Sequence, residues 1–423
     1  MKTTRAARAL ALACTTLALG SAALPALAAN NYPVILVHGF AGFGRTEMLG
    51  YKYWGGLNDL QTQLQAKYSD QLVATAVVGP FSSNWDRAVE LFYQIKGGCV
   101  DYGATHAAVN AHYQKPDAVY HNGRSCYPGL YPQWDANHPV HMITHSMGGQ
   151  TSRMLVQLLA ANGAPSNPSL FPYAVNANWV KSVTTISTPN DGTTLAYRIT
   201  DWVPFVQQLV LGIAGIADAT GATQIYDFKL DQWGIGAQMP GESFDAYMAR
   251  VMSSSLWNSG IHDLSPYDLS PEGAMVENDW VKDASNVTYF SWATNSSFTG
   301  WLTGWSYPTL DTNLLIGVFA GPGFMGNYYH DYRPFPPVSD SSWFPSDAVV
   351  NTVAQKAPTW AMNAQGTIYK RPVVIKDLSK GGTPQAGAWN FKGNMDDFDH
   401  LDIVGWTLFW DSLGWYKKRV DEL

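Results

Sequence analysis

VHMITHSMGGQTSRML, residues 140–155, decides the reading of this chain. An apolar run broken by one histidine meets Thr144-His145-Ser146-Met147-Gly148-Gly149, and a helical pattern follows. A serine at the junction of a buried strand and a helix, with small residues after it, is the layout of a nucleophile elbow. There the turn is so tight that backbone meets backbone. The usual form is G-x-S-x-G; here the second glycine is kept and the first is Thr144. The bland alternative is an ordinary strand-to-helix turn with a capping serine.

Working outward, short apolar runs recur at residues 34–37, 72–78, 180–186 and 287–293, with a further one at 314–320. Helical patterns alternate with the earlier ones, which points to a mostly parallel sheet with helices on both faces. Residues 401–415 read as a terminal helix. Between about residues 191 and 308 there is more helix, including 241–256, than one crossover needs, and this is expected to be a cap or lid inserted over the sheet edge. Residues 201–217 (DWVPFVQQLVLGIAGIA) carry Val206, Leu209, Val210, Ile213 and Ile216 on one helical face, and Gly212 and Gly215 weaken the helix.

The first residues carry Lys2, Arg5 and Arg8, then a short apolar stretch and Ala26-Leu27-Ala28, the pattern of a signal peptide over residues 1–28. The expected product is a secreted chain of residues 29–423 with no transmembrane segment. The formal net charge is −7. Without the leader, 23 basic residues face 33 acidic ones, a net charge of about −10 that disfavours nucleic acid as a partner. Cys99 and Cys126 remain after processing, and an even pair in an oxidising compartment suggests one disulfide.

A serine needs a base and an orienting acid. After Ser146 the histidines are His262, His330 and His400. His400, in the polar stretch MDDFDHLDIVG, is the best placed, and His330 reads as a loop packing residue. Asp347 in WFPSDAVVNT fits the acid, and equally fits a helix N-cap. The oxyanion calls for two donors: the backbone N–H of Met147 and one from VHGFAGFG, residues 37–44, where Phe40 follows His-Gly.

The stretches PVILVHGF, YKYWGG, SSNWDRA, VDYGATHAA, THSMGGQTSRMLV, SVTTISTPNDGTTL, LTGWSYP, DAVVNTV and DHLDIVG resemble the thermoalkalophilic bacterial lipases, secreted α/β-hydrolases, from residue 33 to about 405. The resemblance implies an α/β-hydrolase fold with a helical lid. It implies carboxylester hydrolysis by Ser146, Asp347 and His400, with Phe40 and Met147 as oxyanion donors. It further implies a structural zinc on Asp86, His106, His112 and Asp263. On spacing alone the two histidines read as solvated loop residues, and only the resemblance reverses that reading; His262 competes with Asp263. A family calcium would fall near Asp311 and Asp402, but Thr407 and Leu408 replace an acid and a proline of the family pattern. The expected substrates are lipid or polyester esters at an interface. The rivals are a polyesterase or short-chain esterase on the same scaffold and a non-catalytic, zinc-stabilised binding protein.

Overall fold

The computed structural model describes residues 31–164, 167–199, 201–216, 226–257, 262–328, 340–407 and 410–423. The signal-peptide reading, Ala217, His330 and Leu408 lie outside them, as does the side chain of Ile216.

The core is a seven-stranded sheet. Its strands are β1 (Val34–Val37), β2 (Val73–Ala76), β3 (Val140–His145), β4 (Val180–Ile186), β5 (Thr288–Asn295), β6 (Ile375–Asp377) and β7 (Trp389–Asp396). Their order is β6-β7-β5-β4-β3-β1-β2, and every neighbouring pair runs parallel. All of β1 is buried, and its residues divide between two apolar cores: Val34 and Leu36 go to one, Ile35 and Val37 to the other. Burial on both faces explains why these strands read as unbroken apolar runs rather than alternating ones.

The chain runs from β1 outward to β2, then back past β1 to β3. The carboxyl ends of β1 and β3 therefore flank the point where the winding direction reverses, the usual place for a ligand in an open parallel sheet. Helix α1 (Asn84–Lys96), started by the Ser83 side chain accepting from Asp86 N–H, covers one face. Helix α2 (Met147–Ala161) follows β3 directly and ends at Asn162 in the left-handed region, φ 48°. This is the α/β-hydrolase fold.

Helix α3 (Trp202–Ile216) buries Val206, Val210 and Ile213 as the spacing predicts. Gly212 serves packing in this helix: a Cβ there would meet Leu315 Cδ1 at 2.4 Å. Helix α4 (Phe244–Met252) and helix α5 (Pro271–Trp280) also stand between β4 and β5.

Two readings are corrected. Residues 314–320 are no strand: Ile316 and Gly317 N–H both donate to Asn313 O, and a 3-10 turn follows at Gly317–Ala320. Residues 401–415 are no single helix. A 3-10 turn, Asp402–Val404, ends at Gly405 with φ 89°, and helix α6 (Ser412–Asp421) starts afresh where Asp411 caps Gly414 N–H. Cys99 and Cys126 are disulfide-bonded across a short antiparallel pair.

Candidate active site and metal centre

Ser146 sits between β3 and α2 with φ 55° and ψ −135°, a conformation costly for a residue with a side chain. The turn is as crowded as an elbow requires. A Cβ on Gly148 would lie 2.4 Å from Val37 O, one on Gly149 2.2 Å from Thr188 Oγ1, and one on Gly39 2.5 Å from Ser146 Cβ. Thr144, in place of the pattern's first glycine, is tolerated because it is still inside the strand, where its hydroxyl donates to Thr184 O at 2.9 Å.

Asp347 is fully buried, and its carboxylate accepts from five donors. Oδ1 takes Val349 and Val350 N–H at 3.0 and 2.7 Å. Oδ2 takes Thr294 Oγ1 at 2.7 Å, Gln355 Nε2 at 3.3 Å and His400 Nδ1 at 2.9 Å. No helix starts at Asp347, so the helix N-cap reading is not met: one oxygen holds its own turn, and the other is set against the histidine. His400 N–H also donates to Asp347 O at 2.9 Å.

Ser146 and His400 line one open cavity, about 820 Å³ with its solvent-filled mouth included, walled by Phe40, Trp202, Leu209, Ile213, Ile316 and Phe319 among others. Its wall is overwhelmingly apolar, fit for an acyl chain.

Three groups in or behind this wall, Tyr53 and His145 in it and Arg87 behind, were not anticipated from sequence. Tyr53 hydroxyl accepts from Gly39 N–H at 2.9 Å and meets His145 Nδ1 at 2.6 Å. Burial and the neighbouring His400 hold His145 well below the usual histidine range, so it is neutral, and its ring lies 4.5 Å from that of His400. Arg87 donates to His38 O at 2.6 Å, Gly79 O at 2.8 Å and Thr151 Oγ1 at 2.8 Å, tying the turn after β1 to α2. Gly39 N–H is bound to Tyr53 and Ala41 N–H to Pro80 O at 3.0 Å, which leaves the Phe40 amide between them without such a bond among the described residues.

A second cluster joins Asp86 of α1, His106, His112 and Asp263, with ligand atoms all within 4.8 Å of one another. His106 Nε2 lies 3.0 Å from Asp86 Oδ1 and 3.3 Å from Asp263 Oδ1, and His112 Nε2 lies 3.3 Å from Asp263 Oδ2. His112 Nδ1 is turned to Tyr113 O at 3.0 Å, which fixes the tautomer and leaves the Nε2 lone pair for the cluster. Buried His112 Nε2 and Asp263 Oδ2, 3.3 Å apart, make no well-aligned hydrogen bond among the described residues. Burial opposes charge on His106, but hydrogen bonds to Asp263 and Asp86 prevail and lift it to about 10. Burial and the adjacent Asp263 push Asp86 up. Two carboxylates and two imidazoles converging with orphaned atoms fit a cation. His262, the rival ligand, stacks on Tyr267 instead, ring centroids 4.0 Å apart.

Asp311 and Asp402 form no comparable group among the described residues. Burial, then Asp399 and Asp311, push Asp402 up to about 7. Asp399 spends its oxygens on the N–H groups of Asn313, Leu401 and Asp402.

A family model described as "Lipase-like, C-terminal domain" matches residues 30–422. "Lipase 2" of Staphylococcus aureus is 32% identical over 389 residues, 89% of this chain and 50% of that protein. The chain thus spans about half the length of the curated relatives it matches. Among solved structures, EstA from Clostridium botulinum is 40% identical with TM-score 0.79, covering 93% of this chain and 87% of that one. Lipase 1 from Pelosinus fermentans is 40% identical with TM-score 0.76, covering 93% and 98%. Staphylococcus hyicus lipase is 28% identical with TM-score 0.69, covering 93% and 97%.

Proposed function

The chain belongs to the lipase-like family whose model it matches along nearly its whole length, and from that premise we propose that it is a secreted serine carboxylester hydrolase of the lipase type. One observation carries the reading: the buried His400–Asp347 pair and the strained Ser146 open onto the same apolar cavity.

In this reading Ser146 Oγ attacks the ester carbonyl while His400 Nε2 takes its proton. Asp347 stabilises the imidazolium that forms. The oxyanion is met by the N–H groups of Phe40 and Met147, the second at the start of α2, where the helix dipole favours negative charge. His400 returns the proton to the leaving alcohol, and water then hydrolyses the acyl-enzyme with His400 again as base. Tyr53 and His145 back His400, and Arg87 braces the oxyanion turn.

Asp86, His106, His112 and Asp263 would hold a zinc ion, whose role with four protein ligands is to cross-link α1 to the segments carrying the other three. No step uses the calcium suggested by resemblance at Asp311 and Asp402. Secretion is supported by the leader pattern of residues 1–28 and by the Cys99–Cys126 disulfide, which an oxidising compartment preserves.

The test is hydrolysis of esters of graded acyl length, with a polyester film beside them, by wild type and Ser146→Ala. Turnover of long-chain esters that vanishes in the variant is expected. Turnover confined to short soluble esters would discard the lipase label, and equal turnover by both proteins would discard Ser146.

A further inference from the structure

We propose that the hairpin leaving β5, with the turn after it, is a docking surface for the uncharged face of a water-insoluble ester droplet. The proposal rests on the ester-hydrolase reading for its purpose, though not for its test.

Ser297–Thr299 pairs antiparallel with Ser306–Pro308, and the tip is closed by Gly300 N–H to Trp305 O at 2.7 Å and Gly304 N–H to Gly300 O at 2.8 Å. So short a hairpin is marginal alone. Its base is tied down: Ser296 N–H donates to Ser346 O at 3.0 Å and Ser306 N–H to Gly326 O at 2.8 Å. The tip carries Trp301, 90% exposed, and Leu302, 76% exposed. The next turn leaves Leu310, Leu314 and Val318 exposed as well. None of these five side chains joins an apolar core. Isolated exposed apolar residues need no explanation, but six large ones, Trp305 included, fall between residues 301 and 318 on this hairpin and the turn after it, and exposed apolar patches mark interaction surfaces.

The patch is built onto the candidate active site. Its hairpin begins just beyond Thr294, whose hydroxyl holds Asp347, and is anchored on Ser346, the residue before Asp347. The following segment lines the cavity with Ile316 and Phe319 while exposing Leu314 and Val318. Cavity wall and exposed patch are therefore two sides of one stretch of chain.

Charge selects the partner. From Ser296 to Met325 the only charged residue is Asp311, in a chain of net charge −7. This stretch brings no lysine or arginine of its own to recruit anionic headgroups, the one cation bonded to it among the described residues being Arg198 at Phe324 O, and the net negative charge of the chain repels them. An uncharged apolar surface is its complement, and tryptophan suits the boundary of such a surface with water.

The experiment uses full-length Ser146→Ala, which leaves substrate intact, mixed with triolein droplets coated with phosphatidylcholine and separated by flotation. Adding Trp301→Ser and Leu302→Ser is expected to cut droplet-bound protein about tenfold or more, because two large apolar side chains lose their burial. Trp301→Phe should retain most of the binding. With Ser146 restored, the double variant should hydrolyse a soluble short-chain ester at unchanged kcat/KM, which shows that the fold survives. A double variant that floats as well as its parent overturns the proposal. So does binding that rises with the phosphatidylglycerol content of the coat, or a concentration-dependent dimer that the double variant abolishes while flotation persists. If wild type hydrolyses no ester yet flotation still depends on Trp301 and Leu302, the ester-hydrolase reading falls and the docking surface stands.

Discussion

The molecule contains two His–Asp arrangements of opposite character. At the cavity, Asp347 has every need met by protein donors, and a single histidine is held against it. In the other cluster, Asp86 and Asp263 face each other across two histidines, and buried His112 Nε2 and Asp263 Oδ2 approach to 3.3 Å without a well-aligned hydrogen bond among the described residues. The same residue types thus serve two ends. In the proposed function, the imidazole held by a carboxylate that protein donors satisfy is oriented for proton transfer, and the set they leave less satisfied would take a cation. The contrast turns on satisfied against unsatisfied hydrogen bonding, which residue identity alone does not reveal.

The contrast breaks most visibly at Ser146. Ser146→Ala should lower kcat on a soluble ester by about 10⁴ to 10⁶ with an unchanged unfolding midpoint. Asp347→Asn keeps the size but loses the charge and should cost about 10⁴ in kcat. Across the molecule the pattern inverts. Asp263→Asn should abolish stoichiometric metal by elemental analysis and cost about 4 kcal/mol in denaturant unfolding, the scale for a ligand saturating at about a thousand times its Kd. Its kcat at low temperature should stay within about threefold of wild type, since no catalytic step touches the cluster. Cys99→Ser with Cys126→Ser opens a crosslink spanning a sequence separation of 27, worth about 3 kcal/mol in the chain-entropy model, again read by denaturant unfolding. The smallest effect belongs to Tyr53→Phe. Losing the hydroxyl that bridges Gly39 and His145 should lower kcat less than about tenfold, without raising KM.

Legibility in the sequence followed burial. Strands β1 and β4 were read to the residue and β3 nearly so: β1 leaves a continuous apolar run, and β4, VKSVTTI, is marked by its β-branched residues. Strands β6 and β7 went unread: IKD and WNFKGNMD mix charge, amide and glycine at the sheet edge. Residues 401–415 misled because their apolar content hides Gly405, whose positive φ stops the turn, and Asp411, whose carboxylate starts the next helix. Ser146 was legible from its own neighbourhood. Asp347 was read equally as acid and as helix N-cap; no helix starts at it and the fold sets His400 against it, while the four-residue His/Asp cluster was carried by family resemblance rather than by spacing. Tyr53, Arg87, Thr294 and Gln355 left no local signal, since each acts on groups distant in the chain.

The most direct test is intact-mass and peptide mapping of folded protein after reaction with a serine-directed alkyl phosphonate. The account predicts one adduct per chain, on the Ser146 peptide, formed by wild type and by folded Asp263→Asn but not by Ser146→Ala. Folded wild-type protein that takes no adduct, or takes it on another serine, would contradict the claim that the cavity pair, and not the four-ligand cluster, activates the nucleophile.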